Sequence, residues 1–245
     1  MKYLGGKQRI GKYIAEELKK HVREKGYLEP FCGSLGVLKN MTEVKGKVIG
    51  NDYHSDLIAM WKEVQKGMEY PESVSEEEYN KAKELKSPSA LKAFIGFGMS
   101  FGGRYFGAYS QKYLGEKKED FCKEMRNSLN RIGPLINKVK FTNKEYQKLK
   151  PEGYLIYCDP PYANTKYPIK YRRGTKEYDK FNTEEFWEIM REWSKNNTVI
   201  ISETSAPEDF EEIWSSSQIR SASRSKNTKD ANVVMEKLYK YKGPI

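Results

Sequence analysis

Short apolar runs alternate with longer amphipathic stretches along this chain, a pattern that predicts strands and helices in turn. The clearest run is Tyr154–Cys158, five consecutive apolar or aromatic residues that follow Pro151-Glu-Gly153. An unbroken run of this length is typical of a strand that is buried on both faces. Further strands are predicted over residues 27–31, 47–52, 138–142, 198–202, 218–222 and 233–241.

The stretches between these runs have the spacing of helices. Amphipathic helices are predicted over about 10–20 and 183–195, the second capped by Asn182 or Thr183, and a shorter helix is predicted to end near Met41. Between about 57 and 133 the pattern changes, because charged helix-prone stretches at 76–86 and 116–131 flank a glycine- and aromatic-rich segment at 94–109. This predicts an α/β core formed by 1–57 and 134–245, interrupted by an inserted and mainly helical lobe at 58–133.

The charge balance favours a polyanionic partner. Lys and Arg total 44 against 34 Asp and Glu, which gives a formal net charge of +10 and a pI near 9.2. A Lys-rich surface that serves only solubility is the alternative. The 18 Tyr residues, many of them beside Lys or Arg, suit base stacking next to backbone neutralisation. Together these features favour nucleic acid.

Asp159, Pro160, Pro161 and Tyr162 follow the central predicted strand directly. The prolines end that strand, and open α/β sheets bind ligands at the carboxyl ends of their strands. An exocyclic aromatic amine is a poor nucleophile whose lone pair must be redirected by acceptors. An ionised Asp159 can accept one N–H, the Pro160 carbonyl can accept the other, and Tyr162 can stack on the base. The alternative is an ordinary Asp-Pro turn that closes a strand.

This tetrad resembles the signature of amino-group DNA methyltransferases, and the chain resembles the Dam-like, D12 class N6-adenine family, in particular its compact phage-type members. The resemblance runs from Tyr3-Leu-Gly-Gly-Lys7 to the closing strand near Tyr239 and is weakest across about 60–130. It implies a Rossmann-like S-adenosylmethionine-dependent methyltransferase fold, a seven-stranded mixed sheet with an inserted target-recognition lobe. N4-cytosine enzymes usually carry Ser in place of Asp159, so the resemblance favours adenine.

Two glycine-containing turns are predicted to bind S-adenosylmethionine. Gly6 permits close backbone approach, and Lys7 offers a point charge for a carboxylate. The resemblance implies that Tyr3 and Lys7 hold the methionine end of the cofactor. The strand at 27–31 runs into a glycine-punctuated turn, the usual nucleotide cradle, and its residues matching the family's cofactor loop include Glu29, Phe31 and Gly33.

Two more residues complete the predicted cofactor site, which also borders Asp159. Asp52 ends a predicted strand where Rossmann-like sheets bind ribose hydroxyls, although a helix N-cap is a competing role that Asn51 or Ser55 can also fill. The resemblance implies that Tyr146 lines the cofactor adenine; a place in the core is the alternative.

Basic residues in two regions are predicted to contact DNA. In the inserted lobe, the Arg and Lys side chains can donate hydrogen bonds to DNA phosphates or to base edges. The alternative is that they only form a solvated basic face. After the tetrad, residues 163–180 form a basic and aromatic segment that is typical of a DNA-clasping loop. The predicted contacts are Arg104, Lys112, Arg126, Arg131, Lys170, Arg172 and Arg173.

Several classes of protein are disfavoured. Cys32, Cys122 and Cys158 lie far apart without a Cys-x-x-Cys spacing, and two histidines do not support a metal site or a Ser-His-Asp triad. No run of about 18 apolar residues and no leader is present, so we expect a cytoplasmic protein, in a bacterial or phage-infected cell, that binds no membrane.

The sequence thus predicts a monomeric enzyme, without a metal, that methylates adenine N6 in double-stranded DNA. A related transferase acting on RNA or on N4 of cytosine remains an alternative, as does a catalytically silent DNA-binding relative. The recognition sequence, a preference for hemimethylated DNA and a restriction partner are not predicted.

Overall fold

The structure is a computed structural model that describes residues 1–23, 25–110, 113–114, 117–118, 120–161, 181–219 and 233–243. Most strands of its main sheet follow the apolar runs, because such a run supplies side chains for both faces of a buried sheet. The strands are β1 (Gly26–Glu29), β2 (Lys47–Asn51), β3 (Tyr113–Leu114), β4 (Lys117–Lys118), β5 (Lys140–Thr142), β6 (Leu155–Cys158), β7 (Thr198–Glu203), β8 (Phe210–Ile219) and β9 (Val233–Tyr241).

Most of the helices follow an N-cap residue whose side chain accepts a hydrogen bond from a backbone N–H of the first turn. Asn182, for example, accepts from the Glu185 N–H, as its predicted role as a cap requires. The helices are α1 (Gly11–Lys19), α2 (Ser55–Gln65), α3 (Glu76–Ala82), α4 (Ala90–Gly98), α5 (Phe121–Ile132) and α6 (Thr183–Ser194). Short 3-10 turns lie at Leu38–Asn40, Phe101–Gly103, Gly133–Ile136 and Tyr146–Lys148.

Seven strands form one mixed sheet in the order β5-β2-β1-β6-β7-β9-β8. All neighbours are parallel except β9, which runs antiparallel to both β7 and β8. The predicted seven-stranded mixed sheet is therefore confirmed. Strand order reverses between β1 and β6, and the crevice at the carboxyl ends of these two strands is where such sheets bind ligands.

The sheet is covered on both faces, so alternate residues of each strand enter different cores. Leu155 and Tyr157 of β6 join a cluster with α1 and α2, whereas Ile156 and Cys158 join a second cluster with α6. Each strand residue is buried in β1, β6 and β7. The three cysteines are buried and form no disulfide, in agreement with the interpretation as small core residues.

The segment between α2 and β5 is mainly helical among its described residues, with β3 and β4 as a small antiparallel pair. Its apolar residues, such as Tyr79, Phe94 and Leu129, belong to the same cluster as Leu155 and Tyr157 of the sheet. Helix α2 packs against α4, and α4 packs against α3 and α5. The domain boundaries predicted from the sequence remain a prediction.

Four local predictions were wrong. The short helix predicted to end near Met41 is not an α-helix, because the chain after Gly36 forms only a 3-10 turn at Leu38–Asn40. The helix predicted from 116 begins at Phe121, because the Asp120 side chain caps it by accepting from the Lys123 N–H. Helix α2 is capped by His54 rather than by Asn51 or Ser55. Strand β8 begins at Phe210 rather than 218, since an edge strand tolerates polar residues on its exposed face.

Candidate active site

The crevice between β1 and β6 brings together residues from four distant parts of the chain. Asp159 follows β6, Glu29 ends β1, Lys7 comes from the segment before α1, and Glu236 lies near the beginning of β9. Because β9 is antiparallel, its amino end lies at the same edge as the carboxyl ends of the other strands. Of these four residues, Glu236 was not predicted from the sequence.

Lys7 is the central cation of this group. Its ammonium donates to Asp159 Oδ1 at 2.8 Å and lies 3.4 Å from Glu236 Oε1. The exposed fractions of the three side chains are 9% for Lys7, 19% for Asp159 and 11% for Glu236. The Ser202 hydroxyl, on β7, donates to the same oxygen of Glu236. One ammonium is thus shared by two largely buried carboxylates.

Burial and like charge make Asp159 a weaker acid than usual. Burial raises the pKa of Asp159 from 3.8 to about 6, the Lys7 ammonium opposes this rise, and the charges of Glu236 and Glu203 add to it. Glu29 is buried and accepts a hydrogen bond from the Tyr27 hydroxyl at 2.5 Å. Burial raises the pKa of Glu29 well above its usual range.

The N-terminal segment is fastened to the loop after β1. A Cβ at Gly6 would lie 2.7 Å from Ser34 Oγ, and a Cβ at Gly33 would lie 3.2 Å from the Tyr3 ring. Gly33 also has a φ of +46°, a conformation that side chains other than glycine rarely adopt. Tyr3 in turn packs on Phe97 of α4 with ring centroids 5.2 Å apart. Tyr3, Gly6, Lys7 and Gly33 therefore share one side of the crevice.

Asp52 is fixed in place by backbone donors. Its Oδ2 accepts the Gly33 N–H at 3.0 Å and its Oδ1 accepts the His54 N–H at 2.9 Å. Burial raises the pKa of Asp52 to about 6, and the two backbone hydrogen bonds oppose that rise. The residue before it, Asn51, was passed over as a site residue, but its side chain joins the loops after β1 and β5 by donating to the carbonyls of Pro30 and Lys144.

An aromatic cluster stands beside the carboxyl ends of β1 and β6. The Tyr146 ring lies 5.0 Å from the Phe31 ring and 6.0 Å from the Phe186 ring. Tyr146 is 8% exposed, and its hydroxyl has no hydrogen-bond partner among the described residues. Burial raises the pKa of Tyr146. Tyr146 thus belongs to the core beneath α6, as one of the two interpretations predicted, and it adjoins Phe31; its place beside the cofactor adenine remains a prediction.

A shallow surface cavity of about 370 Å³ opens next to this cluster. The Asn143 amide closes one side of it by donating to the backbone carbonyls of Asp52 at 2.8 Å and Tyr53 at 2.9 Å. Tyr53 and Asn143 had no predicted role; the signal that could have identified them is their place directly after β2 and β5. The cavity is lined by Tyr53, Asn143, Lys144, Glu145 and Lys148.

The predicted DNA contacts that the structure describes lie on the lobe. Arg104 and Arg131 are exposed, whereas Arg126 is partly buried and donates to the Pro71 carbonyl at 2.9 Å. Arg126 therefore stabilises the lobe through this hydrogen bond to Pro71. Lys112, Tyr162, Lys170, Arg172 and Arg173 lie outside the described residues.

The described part of the chain has neither a cluster of metal ligands nor a membrane-spanning helix. No group of three or more His, Cys, Asp or Glu side chains is arranged to hold a metal ion there. None of the helices in this part is long and apolar enough to cross a membrane.

Comparison with known proteins matches this chain to one protein family. A family model described as D12 class N6 adenine-specific DNA methyltransferase matches residues 3–90 and 101–228. A search of curated proteins finds no match. Among solved structures, the chain is similar to magnesium protoporphyrin IX methyltransferase from Synechocystis PCC 6803, with a sequence identity of 9% and a TM-score of 0.40. This match covers 96% of this chain and 79% of that one. It is also similar to HI0767 from Haemophilus influenzae, a provisionally assigned methylase, with 10% identity, 97% and 91% coverage and a TM-score of 0.41.

Proposed function

This chain belongs to the D12 class N6 adenine-specific DNA methyltransferase family, and from that membership we propose that the crevice between β1 and β6 is its active site, with Asp159 and the Pro160 carbonyl as the catalytic acceptors. The enzyme transfers a methyl group from S-adenosylmethionine to adenine N6 in DNA. The observation that carries the assignment of the site is the Lys7–Asp159 contact of 2.8 Å at the switch point of the sheet.

Asp159 and Pro160 act by redirecting the amine lone pair. The carboxylate accepts one N6 N–H and the buried Pro160 carbonyl accepts the other, so the nitrogen regains nucleophilic character along the axis facing the methyl group. Methyl transfer would leave a positive charge on N6, and Asp159, which already accepts one N6 N–H, would take up the proton that N6 then releases. Pro161 stiffens the turn, and Tyr162 stacks on the adenine. Catalysis rests on positioning and oriented acceptors, with no covalent intermediate.

The residues around the crevice suit S-adenosylmethionine, which supplies an electrophilic methyl group when bound. Asp52 already has its oxygens oriented by two backbone donors, which suits it to accept hydrogen bonds from the ribose hydroxyls. Gly33 leaves room where a side chain would crowd the Tyr3 ring. The aromatic edge of Tyr146 and Phe31 suits a purine. We assign to the cofactor Tyr3, Gly6, Lys7, Glu29, Phe31, Gly33, Asp52, Tyr146 and Asp159.

The DNA partner is double-stranded in this proposal, and the enzyme acts as a monomer in the cytoplasm without a metal ion. Because N6 lies within a stacked base pair, the adenine is flipped out of the helix into the crevice. The lobe at 58–133 reads the DNA, and exposed Arg104 and Arg131 favour it as the basic face. The proposed DNA contacts also include four residues that are assigned from the sequence alone: Lys112, Lys170, Arg172 and Arg173. Arg126 has the least support as a DNA contact, because it donates to the Pro71 carbonyl.

The test is methyl transfer from labelled S-adenosylmethionine to unmethylated plasmid DNA, followed by mass spectrometry of the nucleosides and sequencing of modified adenines. We expect N6-methyldeoxyadenosine within one short repeated motif, and no transfer by Asp159→Ala although that variant still binds the cofactor. N4-methylcytosine, or methylation of RNA only, would replace the proposed substrate. Near-normal activity of Asp159→Ala would overturn the assignment of the catalytic acceptor.

A further inference from the structure

Among the residues that the structure describes, the charges next to Asp159 do not cancel. The Lys7 ammonium contacts Asp159 and lies 3.4 Å from Glu236, so two carboxylates share it. Glu203, also buried on β7, and Glu29 on β1 interact electrostatically with Asp159 as well. Counted as ionised groups, the trio of Lys7, Asp159 and Glu236 carries one net negative charge.

The position of Glu236 beside Lys7 is fixed by the pairing of its strand and by a hydrogen bond from Ser202. Strand β9 pairs with β7 on one side and with β8 on the other, with Ser202 opposite Leu238 and Ser216 opposite Glu236. The Glu236 side chain is 11% exposed and receives the Ser202 hydroxyl on the oxygen nearest Lys7. A carboxylate is rarely buried to this degree without a paired charge or a function.

We propose that Glu236 is a positioning residue for methyl transfer, which offsets the Lys7 ammonium so that the group of Lys7, Asp159 and Glu236 presents a net negative charge to the adenine amine. A Lys7–Asp159 pair alone would be neutral overall and would attract the adenine amine weakly. During transfer, positive charge passes to N6, and a site with net negative charge stabilises that charge where it develops. This inference rests on the proposed role of Asp159.

The proposal explains a second property of Lys7. A lysine side chain is a flexible point charge, and one carboxylate does not fix its direction. Two carboxylates, one directly after β6 and one on β9, hold the ammonium between them, so it contacts Asp159 Oδ1 and leaves Asp159 Oδ2 without a hydrogen bond to any described residue. That oxygen is the one we assign to the N6 N–H.

The first test replaces Glu236 by Gln, which retains an acceptor for Ser202 and removes the charge. Two readouts are compared with wild type: the pH dependence of single-turnover DNA methylation, and the carboxyl titration of Asp159 in the DNA-free protein by ¹³C NMR, assigned by its loss in Asp159→Asn. Removal of the like charge should lower the pKa of Asp159, so both the acid limb of activity and the NMR midpoint move to lower pH by at least about half a unit. The plateau rate should fall about tenfold.

Two control variants separate this role from a structural one. Glu212→Gln, on β8, removes an exposed carboxylate that pairs with Lys237 at 2.8 Å and should leave both titrations unchanged. Glu236→Asp keeps the charge and should retain the wild-type acid limb. A reduced rate in Glu236→Gln with an unmoved limb and an unmoved NMR midpoint would overturn the proposal, as would equal shifts in the Asp and Gln variants.

The outcome also separates this proposal from the one on which it rests. If the wild-type protein transfers no methyl group to DNA, or transfers it without Asp159, the proposed function fails, whereas the NMR titration still tests the coupling between Glu236 and Asp159. If wild type methylates DNA through Asp159 and Glu236→Gln leaves both midpoints in place, only the role of Glu236 fails.

Discussion

Asp159→Asn should abolish methyl transfer and at the same time make the protein more stable at neutral pH. The Asp159 carboxylate is largely buried, and its pKa is raised from 3.8 to about 6 in spite of the Lys7 contact. The fold therefore pays a penalty for keeping this group ionised. Asn has the same shape, still accepts a hydrogen bond from Lys7, and carries no charge at any pH.

The size of the effect follows from the shift in the pKa. One pKa unit corresponds to about 1.4 kcal/mol, so a rise of about two units costs about 3 kcal/mol once the group is ionised. This shift already includes the opposing contact with Lys7, so about 3 kcal/mol is the upper limit, and we expect a gain of about 1–3 kcal/mol for the variant at pH 7.5. Lys7 retains Glu236 as a partner at 3.4 Å, so the variant does not leave a buried ammonium alone.

The pH dependence gives the prediction its sign. Between about pH 4 and 6 the folded protein keeps a proton on Asp159 that the unfolded chain has already released, so wild-type stability falls as the pH rises through this window. The stability difference between variant and wild type should be small below about pH 4 and should reach its plateau above about pH 7.

Urea unfolding at closely spaced pH values, with wild type and Asp159→Asn side by side, measures this difference directly. Buried acids that do not interact with Asp159, such as Asp52, titrate alike in both proteins, and their contributions cancel. A variant that is less stable than wild type at pH 7.5 would refute the reasoning, because it would mean that the pairing with Lys7 outweighs burial.

The remaining predictions concern the cofactor crevice and the lobe. Tyr146→Phe should leave thermal stability unchanged or slightly raised, because the hydroxyl it removes is buried without a partner in the described chain; a large drop in melting temperature would show a hidden partner. Gly33→Ala should weaken S-adenosylmethionine binding in calorimetry, whereas Gly67→Ala, at a φ of +82° in open space, should cost only stability, about 1 kcal/mol. Arg131→Ala should lower the salt dependence of DNA binding by about one counterion, whereas Arg126→Ala should chiefly reduce stability because it loses the Pro71 contact; equal salt slopes for the two variants would contradict this distinction.

The parts of the fold that could be predicted from the sequence are those where local pattern and tertiary burial agree. The run Tyr154–Cys158 is apolar because both faces of β6 are covered, and the prolines after Asp159 end the strand wherever the chain folds. The position of Asp159 at the ligand-binding edge follows from these two facts. Strand β9 was predicted with its observed bounds, Val233–Tyr241, for the same reason.

The errors occur where local pattern and tertiary position separate. The residues Ser215–Gln218 of β8 carry no apolar alternation, because β8 is the edge strand of the sheet among the described residues and residues such as Ser215 and Ser217 are exposed. Helix α5 begins where the Asp120 side chain caps it, although the charged residues before it also have helical propensity. The role of Asn51 depends on loops that are distant in sequence and close only in the folded sheet.

Glu236 shows how the mixed topology extends the active site. In a wholly parallel sheet only the carboxyl ends of strands reach the ligand-binding edge, and each contributes a residue after its last ladder pair. The antiparallel β9 reverses this rule, so a residue near its beginning, Glu236, reaches the same edge from within a strand. Its position is therefore set by register with both β7 and β8 rather than by a loop. A slip of one residue in either pairing would turn Glu236 to the opposite face and separate it from Lys7, which is why a strand with two partners suits this position.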